Sequence, residues 1–281
     1  MKTYILAAHC NNLHYIDFQY KSLKKYFKGE YEYIVINDAK EFGDITNFNQ
    51  HTMKEKIENK CNELGIKCFN VPQHLHHNRK TLFPNTSEPS TDHPSARNAV
   101  AIQYGFNMYC NMNDGYLIVI DSDMFFYNDI NINDIMENYD IAGCGQGKRS
   151  DSHYVEYLWI ALCIFNLKTC KNLNEFYWDC GKVHDVSVDA GGQSYHYIQQ
   201  YKPKISYLGW NYYIDMMSYK NDELEPKVVQ SLDENFNSSC GPKEVFRKLN
   251  IIHLKAGSNW DNKGIMHHTK HYEIVNKIFF E

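Results

Sequence analysis

Short apolar runs and segments of helical spacing alternate along the first part of the chain. An apolar run at Thr3–His9 ends in polar residues, and the stretch 14–27 then places apolar residues at helical intervals. The alternation continues, with further strands predicted at 33–37, 66–71 and Tyr116–Ile120 and further helices at 53–64 and 95–110. Strands and helices that alternate in this way predict an α/β fold with a mostly parallel, doubly wound central sheet and helices on both faces.

The second part of the chain is less regular but keeps the same kinds of element. Its apolar spacing predicts strands at 139–144, 159–166, 205–208 and 251–254, and helices at 168–180, 194–201 and 266–281. No repeat, low-complexity tract or linker is visible. Residues 1–281 are therefore expected to form a single domain.

Three segments are predicted to be irregular. Four prolines make 72–95 a predicted loop or lid, and the glycines at 143–148 predict a flexible loop near a ligand. Residues 185–193 are expected to form a polar turn that opens a helix. Three histidines lie in the first segment: His74, His76 and His77. A metal role is the alternative, but they have no acidic neighbour in sequence and are expected to be solvated.

The most informative motif is the pair of carboxylates that follows the apolar run Tyr116–Ile120. The run would deliver Asp121 and Asp123 to the carboxyl edge of the sheet, where open α/β sheets hold ligands. Two hard oxygen donors two residues apart suit Mg²⁺ or Mn²⁺, and such an ion suits a diphosphate. An isolated D-x-D is more often a solvated turn, but its position at the end of an apolar strand favours a metal site.

Composition excludes some partners without identifying one. The chain has 281 residues, 43% hydrophobic and 15% aromatic, which is enough to build a sizeable core. The net charge is −5 and no basic run stands out, so a nucleic-acid partner is not favoured. The 22 tyrosines offer flat faces suited to sugars or bases, although ordinary core and surface positions explain most of them equally well.

Cysteine usage and hydropathy bear on the compartment. Nine cysteines form an odd set without a C-x-x-C pair, which favours a reducing compartment over a disulfide framework. The apolar stretch at the N-terminus is too short for a signal peptide, and no apolar run is long enough to span a membrane. We therefore expect a soluble protein without a transmembrane segment, in the cytoplasm.

A histidine far along the chain is a candidate third metal ligand. His253 ends a predicted strand, Gly257 lies four residues later, and Trp260 lies three beyond that. Because an apolar strand leads into His253 as another leads into Asp121, both strand ends are expected to open on the same edge of the sheet. An imidazole can complete a metal shell, and backbone N–H groups around Gly257 can bind phosphate. Taken alone, His253 and Trp260 could equally be core residues.

In order and spacing, these pieces resemble the nucleotide-sugar-dependent glycosyltransferases of the GT-A type. Asp121 and Asp123 resemble the D-x-D motif of that group. The series His253, Gly257 and Trp260 resembles the C-terminal histidine motif of glycogenin-like retaining galactosyl- and glucosyltransferases. The resemblance implies a Mn²⁺ ion, or Mg²⁺, held by the two aspartates and by His253.

The same resemblance implies a donor-binding set. Asp38 resembles the base-contacting acid, and Arg97 resembles a basic residue near the ribose or diphosphate. The implied donor-binding residues are Ala8, His9, Asn11, Asp38, Arg97, Ser122, Gly257, Ser258 and Trp260. The resemblance makes 1–127 a Rossmann-like, nucleotide-sugar-binding half and 128–281 the half that binds the acceptor and completes the metal site. It also favours UDP as the nucleotide.

The chain departs from the glycogenin-like pattern at two points. Gly257 comes one residue late, and Ser258 and Asn259 stand where a Lys-Pro pair would precede the tryptophan. Asp189 resembles the acid of the acceptor-facing turn, but the usual D-Q is missing. Asp189 and Asp185 are the candidate catalytic carboxylates, with helix capping as the alternative. Retention or inversion at the sugar is left open.

The function implied is transfer of a sugar, as in a hexosyltransferase, from a nucleotide diphosphate sugar to a hydroxyl of a glycan or other acceptor. The bound metal would neutralise the departing diphosphate. Haloacid-dehalogenase-like phosphatases also place D-x-D after an apolar strand, but here the motif comes late and Met124-Phe125 follows it. A non-catalytic module that binds nucleotide sugars or glycans is the other alternative.

Overall fold

A computed structural model describes residues 1–39, 51–86, 93–209, 211–213, 226–228, 243–254 and 265–281. The strands are β1 (Thr3–His9), β2 (Tyr31–Asn37), β3 (Lys67–Asn70), β4 (Tyr116–Ile120), β5 (Met124–Phe126), β6 (Ile141–Arg149), β7 (Tyr154–Asn166), β8 (Gly181–Val183), β9 (Val186–Val188), β10 (Ile205–Tyr207), β11 (Asn211–Tyr213), β12 (Lys243–Phe246) and β13 (Ile251–His253). The helices are α1 (Leu13–Tyr26), α2 (His51–Leu64), α3 (His74–His77), α4 (Pro94–Tyr109), α5 (Ile132–Met136), α6 (Ser194–Tyr201) and α7 (Ile265–Phe279).

The chain forms two compact units, and each is built from separated segments. The first unit comprises Met1–Cys10, Gly29–Asp121 and Asn133–Leu208. The second comprises Asn11–Lys28, Ser122–Ile132 and Gly209–Glu281. Whether 1–281 behaves as one domain stays a prediction.

The first unit contains a seven-stranded sheet in the order β10-β6-β7-β4-β1-β2-β3. Strand β1 pairs in parallel with β2 and β4, and β2 pairs in parallel with β3. Strand β7 is antiparallel to both of its neighbours, and β10 is parallel to β6. The predicted α/β class and the mostly parallel central sheet are therefore confirmed.

The core of the first unit lies between this sheet and its helices. The central strands are continuous apolar runs, and all five residues of β4 are buried, as expected for strands covered on both faces. Aromatic rings at Phe106, Phe165, Phe176 and Trp178 pack edge to face or tilted in one cluster.

The second unit contains a four-stranded antiparallel sheet in the order β11-β12-β13-β5. Its core joins this sheet to α1 and α7, with Phe18, Phe125, Ile252 and Phe279 among the buried residues. The amide of Gln19 on α1 donates to the carbonyl of Met124, at 2.9 Å, which fastens the helix to β5.

The helix predicted at 168–180 is wrong. Apart from a 3₁₀ turn at Leu173–Glu175, the segment forms no helix. Its apolar residues do recur at helical intervals, but Phe176 and Trp178 are buried two residues apart, as in an extended chain. The Gln103 side chain bonds both of their backbones, accepting from the Trp178 N–H at 2.9 Å and donating to the Phe176 carbonyl at 3.2 Å. These tertiary bonds outweigh the local helical pattern.

The flexible loop predicted at 143–148 is also wrong, because these residues lie within β6. The strand pairs with β7 as far as Arg149↔Tyr154, with a bulge between Gly143 and Gly145. A Cβ at Gly145 would lie 2.8 Å from the Tyr207 ring. Gly145 and Gly147 therefore leave room for the rings of Tyr207 and Tyr154, and the segment pairs as a strand on both sides of the bulge.

The predicted loop at 72–95 and the predicted turn at 185–193 are more ordered than expected. Within the described part of 72–95, α3 and a 3₁₀ turn at Arg79–Thr81 bury several side chains, and Arg79 forms a buried ion pair with Asp179. Strand β9 occupies the start of the second segment and forms a hairpin with β8.

The eight cysteines in the described residues are free thiols.

Within the same residues, no helix combines the length and the apolar character needed to cross a bilayer.

Gly191 gives a direct test of the turn that follows β9. Its φ is +93°, and a Cβ there would lie 2.1 Å from the Leu158 carbonyl oxygen. We expect Gly191→Ala to lower the free energy of unfolding by more than about 1 kcal/mol, because both the backbone and the space exclude a side chain. The control is Gly209→Ala, where no atom of the described residues lies within 4 Å, with an expected change below about 0.5 kcal/mol. Equal unfolding curves in urea would contradict this reading.

Candidate functional site

The first carboxylate of the D-x-D follows directly from the end of β4. The Asp121 N–H donates to the Ala161 carbonyl at 2.8 Å, which extends the pairing of β4 with β7 by one residue. Its side chain is half-buried. Asp121 is the last residue of its segment in the first unit, and Ser122 and Asp123, which follow it in the chain, belong to the second unit.

The second carboxylate lies in the second unit and is held by the pairing of β5 with β13. In this register His253 is opposite Met124, and the Leu254 N–H donates to the Asp123 carbonyl at 2.9 Å. His253 Nε2 lies 3.1 Å from Asp123 Oδ1. Both residues are only 3% exposed. The strand register therefore brings together two residues that are far apart in sequence.

A third acidic side chain, not predicted from the sequence, completes this arrangement. Glu244 lies opposite His253 in the pairing of β12 with β13, and its Oε2 is 2.7 Å from His253 Nδ1. It is 2% exposed. The sequence does not reveal that Glu244 contacts His253, because the contact depends on how β12 pairs with β13.

The surroundings of His253 raise the pKa of its ring to about 10. Burial alone lowers this pKa, since it disfavours the charged imidazolium. The negative charge of Asp123, and then the hydrogen bond and negative charge of Glu244, act in the opposite direction and outweigh burial. At neutral pH the metal-free ring is therefore an imidazolium between two carboxylates, and it must lose a proton before Nε2 can bind a metal.

The donor set fits a divalent metal ion. One ligand atom from each of Asp121, Asp123 and His253 lies within 4.8 Å of the other two. Asp123 Oδ1 is buried and has no hydrogen-bond partner in the described part of the chain, despite its closeness to the imidazole. In the metal-free protein the imidazolium charge at 3.1 Å compensates this buried oxygen, and once the ring is neutral a bound cation would have to do so. The two carboxylates suit Mn²⁺ or Mg²⁺, and an imidazole nitrogen suits a transition-metal ion such as Mn²⁺ better than it suits Mg²⁺.

One expectation about this site is wrong. The sequence predicted that the strand before His253 and the strand before Asp121 open on the same edge of one sheet. Instead, β4 belongs to the seven-stranded sheet and β13 to the four-stranded sheet. The link to the D-x-D is made by β5, which follows Asp123 directly and pairs with β13.

Several residues implied to bind the donor meet at the carboxyl ends of β1 and β2 in the first unit. The Asp38 N–H donates to the His9 carbonyl at 2.8 Å. Arg97, in the first turn of α4, donates from Nη2 to the Asp38 carbonyl at 3.3 Å and lies 3.4 Å from both carboxylate oxygens. The His9 ring contacts the Tyr33 hydroxyl at 3.1 Å, and Ala8 lies one residue earlier in β1.

The other implied donor-binding residues are more scattered. Asn11 is exposed and belongs to the second unit, and Ser122 is buried between the two carboxylates of the D-x-D. Gly257, Ser258 and Trp260 lie outside the described residues. Their implied roles stay predictions.

His76 is not the solvated histidine that the sequence predicted. It is 3% exposed, and its Nε2 lies 2.7 Å from Asp38 Oδ1. Its other nitrogen, Nδ1, is buried without a hydrogen-bond partner in the described residues. Helix α3 carries His76 to the edge of the sheet, so the missing acidic partner is supplied from 38 residues away. The sequence hides this contact, because the prolines around it suggest a solvated loop.

The two candidate catalytic carboxylates differ in their surroundings. Asp185 lies in the exposed turn of the β8–β9 hairpin, where its Oδ1 is 2.6 Å from His153 Nδ1. Hydrogen bonds, foremost from Ser150 and then from His153, lower the pKa of Asp185. Asp189 is half-buried after β9, and its Oδ1 accepts from the Ala190 N–H at 2.8 Å.

Comparison with known proteins gives a structural likeness without a relative in sequence. No protein-family model and no curated protein matches the chain. Residues 1–349 of S. aureus TarS match with a TM-score of 0.39 and 16% identity, over 74% of this chain and 58% of TarS 1–349. The WbbM bifunctional glycosyltransferase matches with 0.47 and 12%, over 100% of this chain and 50% of WbbM.

A third structure, mouse xyloside xylosyltransferase 1, matches with a TM-score of 0.43 and 10% identity, over 74% of this chain and 85% of the mouse protein. The chain spans only about half the length of the first two structures. Likenesses this distant establish no function for the chain.

The His76–Asp38 contact predicts a stability effect in the first unit. We expect His76→Ala to lower the free energy of unfolding by about 1.5–3 kcal/mol, because it removes a buried hydrogen bond to a charged group. His77→Ala, one residue along α3 and exposed, is the control and should change it by less than about 0.5 kcal/mol. Urea unfolding measures both variants. Equal midpoints would show that the buried contact contributes nothing.

The raised pKa of His253 predicts how the metal-free protein responds to pH. The folded pKa of about 10 exceeds the unfolded value near 6.5, so the stabilisation is complete below pH 6.5 and is lost as pH rises through 10. Between pH 7 and pH 8.5, the free energy of unfolding of the wild type should fall by about 2 kcal/mol relative to that of His253→Gln, at about 1.4 kcal/mol per pH unit. Urea unfolding in EDTA at several pH values measures this. Parallel pH curves for the two proteins would contradict it.

Proposed function

We propose that the chain is a metal-dependent glycosyltransferase that moves a sugar from a nucleotide diphosphate sugar to an acceptor hydroxyl. One observation carries the proposal: the D-x-D at the end of a buried strand has the His253 imidazole 3.1 Å from its second carboxylate, and that carboxylate oxygen lacks a hydrogen bond in the described residues. This is the ligand set that the GT-A resemblance implies. A set of this kind can hold an ion that binds a diphosphate.

The proposed metal ligands are Asp121, Asp123 and His253, and the proposed ion is Mn²⁺ or Mg²⁺. When bound, the ion would act as a Lewis acid on the departing diphosphate oxygens. The protein would contribute a site in which two of the three ligands, Asp123 and His253, are shielded from solvent. Asp123 and His253 are buried and held by the β5–β13 ladder, so little rearrangement is needed to bind the ion.

The proposed nucleoside site lies at the carboxyl ends of β1 and β2. Asp38 would accept hydrogen bonds from the base or ribose, and Arg97 would balance its charge and contact the ribose or diphosphate. Their contact supports this proposal, because it holds the carboxylate in one place at an edge where open α/β sheets bind ligands. UDP is the proposed nucleotide, on the strength of the resemblance, and a hexose is the proposed sugar.

The proposed catalytic carboxylate is Asp189, with Asp185 as the second candidate. Either could stabilise positive charge on the sugar ring or take the proton from the acceptor hydroxyl. The half-buried position of Asp189 favours it, since Asp185 is exposed and already bonded to His153. Both residues lie in the first unit.

The proposed activity is tested with a panel of nucleotide sugars in Mn²⁺, with free nucleotide measured by chromatography. We expect release from one class of donor, most readily a UDP-sugar, and loss of release in EDTA. Asp123→Asn should reduce turnover by roughly two orders of magnitude or more, because it removes a metal ligand. Asp129→Asn, on an exposed loop of the same unit, is the matched control and should leave turnover unchanged.

The same experiment separates the alternatives. Phosphate release from p-nitrophenyl phosphate, without nucleotide release from any sugar donor, would indicate a phosphatase. Donor binding that requires Mn²⁺ but gives no turnover with any acceptor would indicate a binding module. Donor binding unaffected by both EDTA and Asp123→Asn would overturn the metal site itself.

A further inference from the structure

We propose that Glu244 is a positioning residue that orients His253 toward the D-x-D carboxylates. The proposal rests on the metal-dependent function proposed above and extends it to a residue that lies outside the ligand set. Glu244 acts through the histidine, since its Oε2 contacts Nδ1, the nitrogen opposite the one that lies near Asp123.

The strand register places the side chains of Glu244 and His253 next to each other. Glu244 and His253 are directly opposite in the antiparallel pair β12–β13, and His253 is in turn opposite Met124 of β5. Side chains directly opposite on neighbouring strands are close enough to touch. The middle strand therefore holds the imidazole between a carboxylate from β12 and the carboxylate that precedes β5.

The chemistry of imidazole explains why a carboxylate at Nδ1 matters. A neutral imidazole carries one N–H, and the acceptor that binds this N–H decides which nitrogen keeps its lone pair. With Nδ1–H donated to Glu244, the lone pair is on Nε2, which lies 3.1 Å from Asp123 Oδ1. Glu244 thus selects the tautomer and the ring orientation that a metal ligand needs.

The burial of Glu244 argues against a purely structural role. The backbone ladder already joins β12 to β13, and the next two residues along β12, Val245 and Phe246, supply buried apolar surface. An apolar residue would occupy a 2% exposed position at a lower desolvation cost than a carboxylate does. The contact between Glu244 and His253, at 2.7 Å, is one that an apolar residue could not make.

The test compares Mn²⁺ affinity in full-length variants, by electron paramagnetic resonance titration in the presence of UDP. Glu244→Leu replaces the carboxylate with an apolar side chain of similar size and so removes the acceptor, and we expect it to weaken Mn²⁺ binding by 10- to 100-fold. Glu244→Gln keeps a carbonyl oxygen for Nδ1–H and should lose less. The exposed Glu156→Gln in β7 is the matched control and should bind as the wild type does.

A spectroscopic readout separates positioning from folding. Electron spin echo modulation detects the ¹⁴N nucleus of an imidazole bound to Mn²⁺. We expect this coupling in the wild type, its loss in His253→Gln, a weakened signal in Glu244→Leu and partial rescue in Glu244→Gln. If the leucine variant does not fold, Glu244→Ala, which also removes the acceptor for Nδ1–H, decides: an affinity and a ¹⁴N coupling equal to those of the wild type would overturn the proposal.

Failure of this inference and failure of the proposed function give different results. If Asp123→Asn abolishes Mn²⁺ binding while Glu244→Leu binds as tightly as the wild type, the role of Glu244 is wrong and the metal site stands. If the wild type binds no Mn²⁺ with UDP, or if Asp123→Asn changes nothing, both proposals fall.

Discussion

The placement of one short strand between two others determines the chemistry of the second unit. Strand β13 is three residues long, and its antiparallel pairing with β12 and with β5 puts His253 between two carboxylates that are both nearly inaccessible to solvent. A shift by one residue in either ladder would turn the imidazole to the opposite face of the sheet. The apolar packing of β5 and β13 against α1 and α7 therefore protects a register on which a polar site depends.

The first unit uses a similar device at a different place. Asp38 is buried at the end of β2 with an imidazole on one side and a guanidinium on the other. In both units a buried carboxylate, Asp38 or Asp123, contacts an imidazole from a distant part of the chain. Buried charge of this kind is costly and persists only where neighbouring groups satisfy it, which makes such positions informative about function.

The sequence was most informative where local pattern and tertiary structure agree. The run before Asp121 is apolar throughout, and it forms a buried strand that ends at the D-x-D, as predicted. The closeness of His253 to Asp123 was also predictable, although the reason given for it was wrong. The roles of Glu244 and His76 were not predictable, because strand register and the docking of a single helical turn depend on contacts between distant segments. The helix predicted at 168–180 was wrong for the same reason, since the side chain of Gln103 forms hydrogen bonds with this segment that no local pattern reveals.

The interleaving of the two units has a consequence for how the protein is made. The segments Asn11–Lys28 and Ser122–Ile132 leave the ribosome early, but the strands and helix that cover them come after residue 208. Until those arrive, Phe18 and Phe125 have no apolar partner from β13 or α7, and exposed apolar surface on a nascent chain promotes aggregation. The seven-stranded sheet, by contrast, has all of its strands by residue 207. Synthesis therefore completes the second unit after the strands of the seven-stranded sheet, and the imidazole reaches its carboxylates only once that sheet has all of its strands.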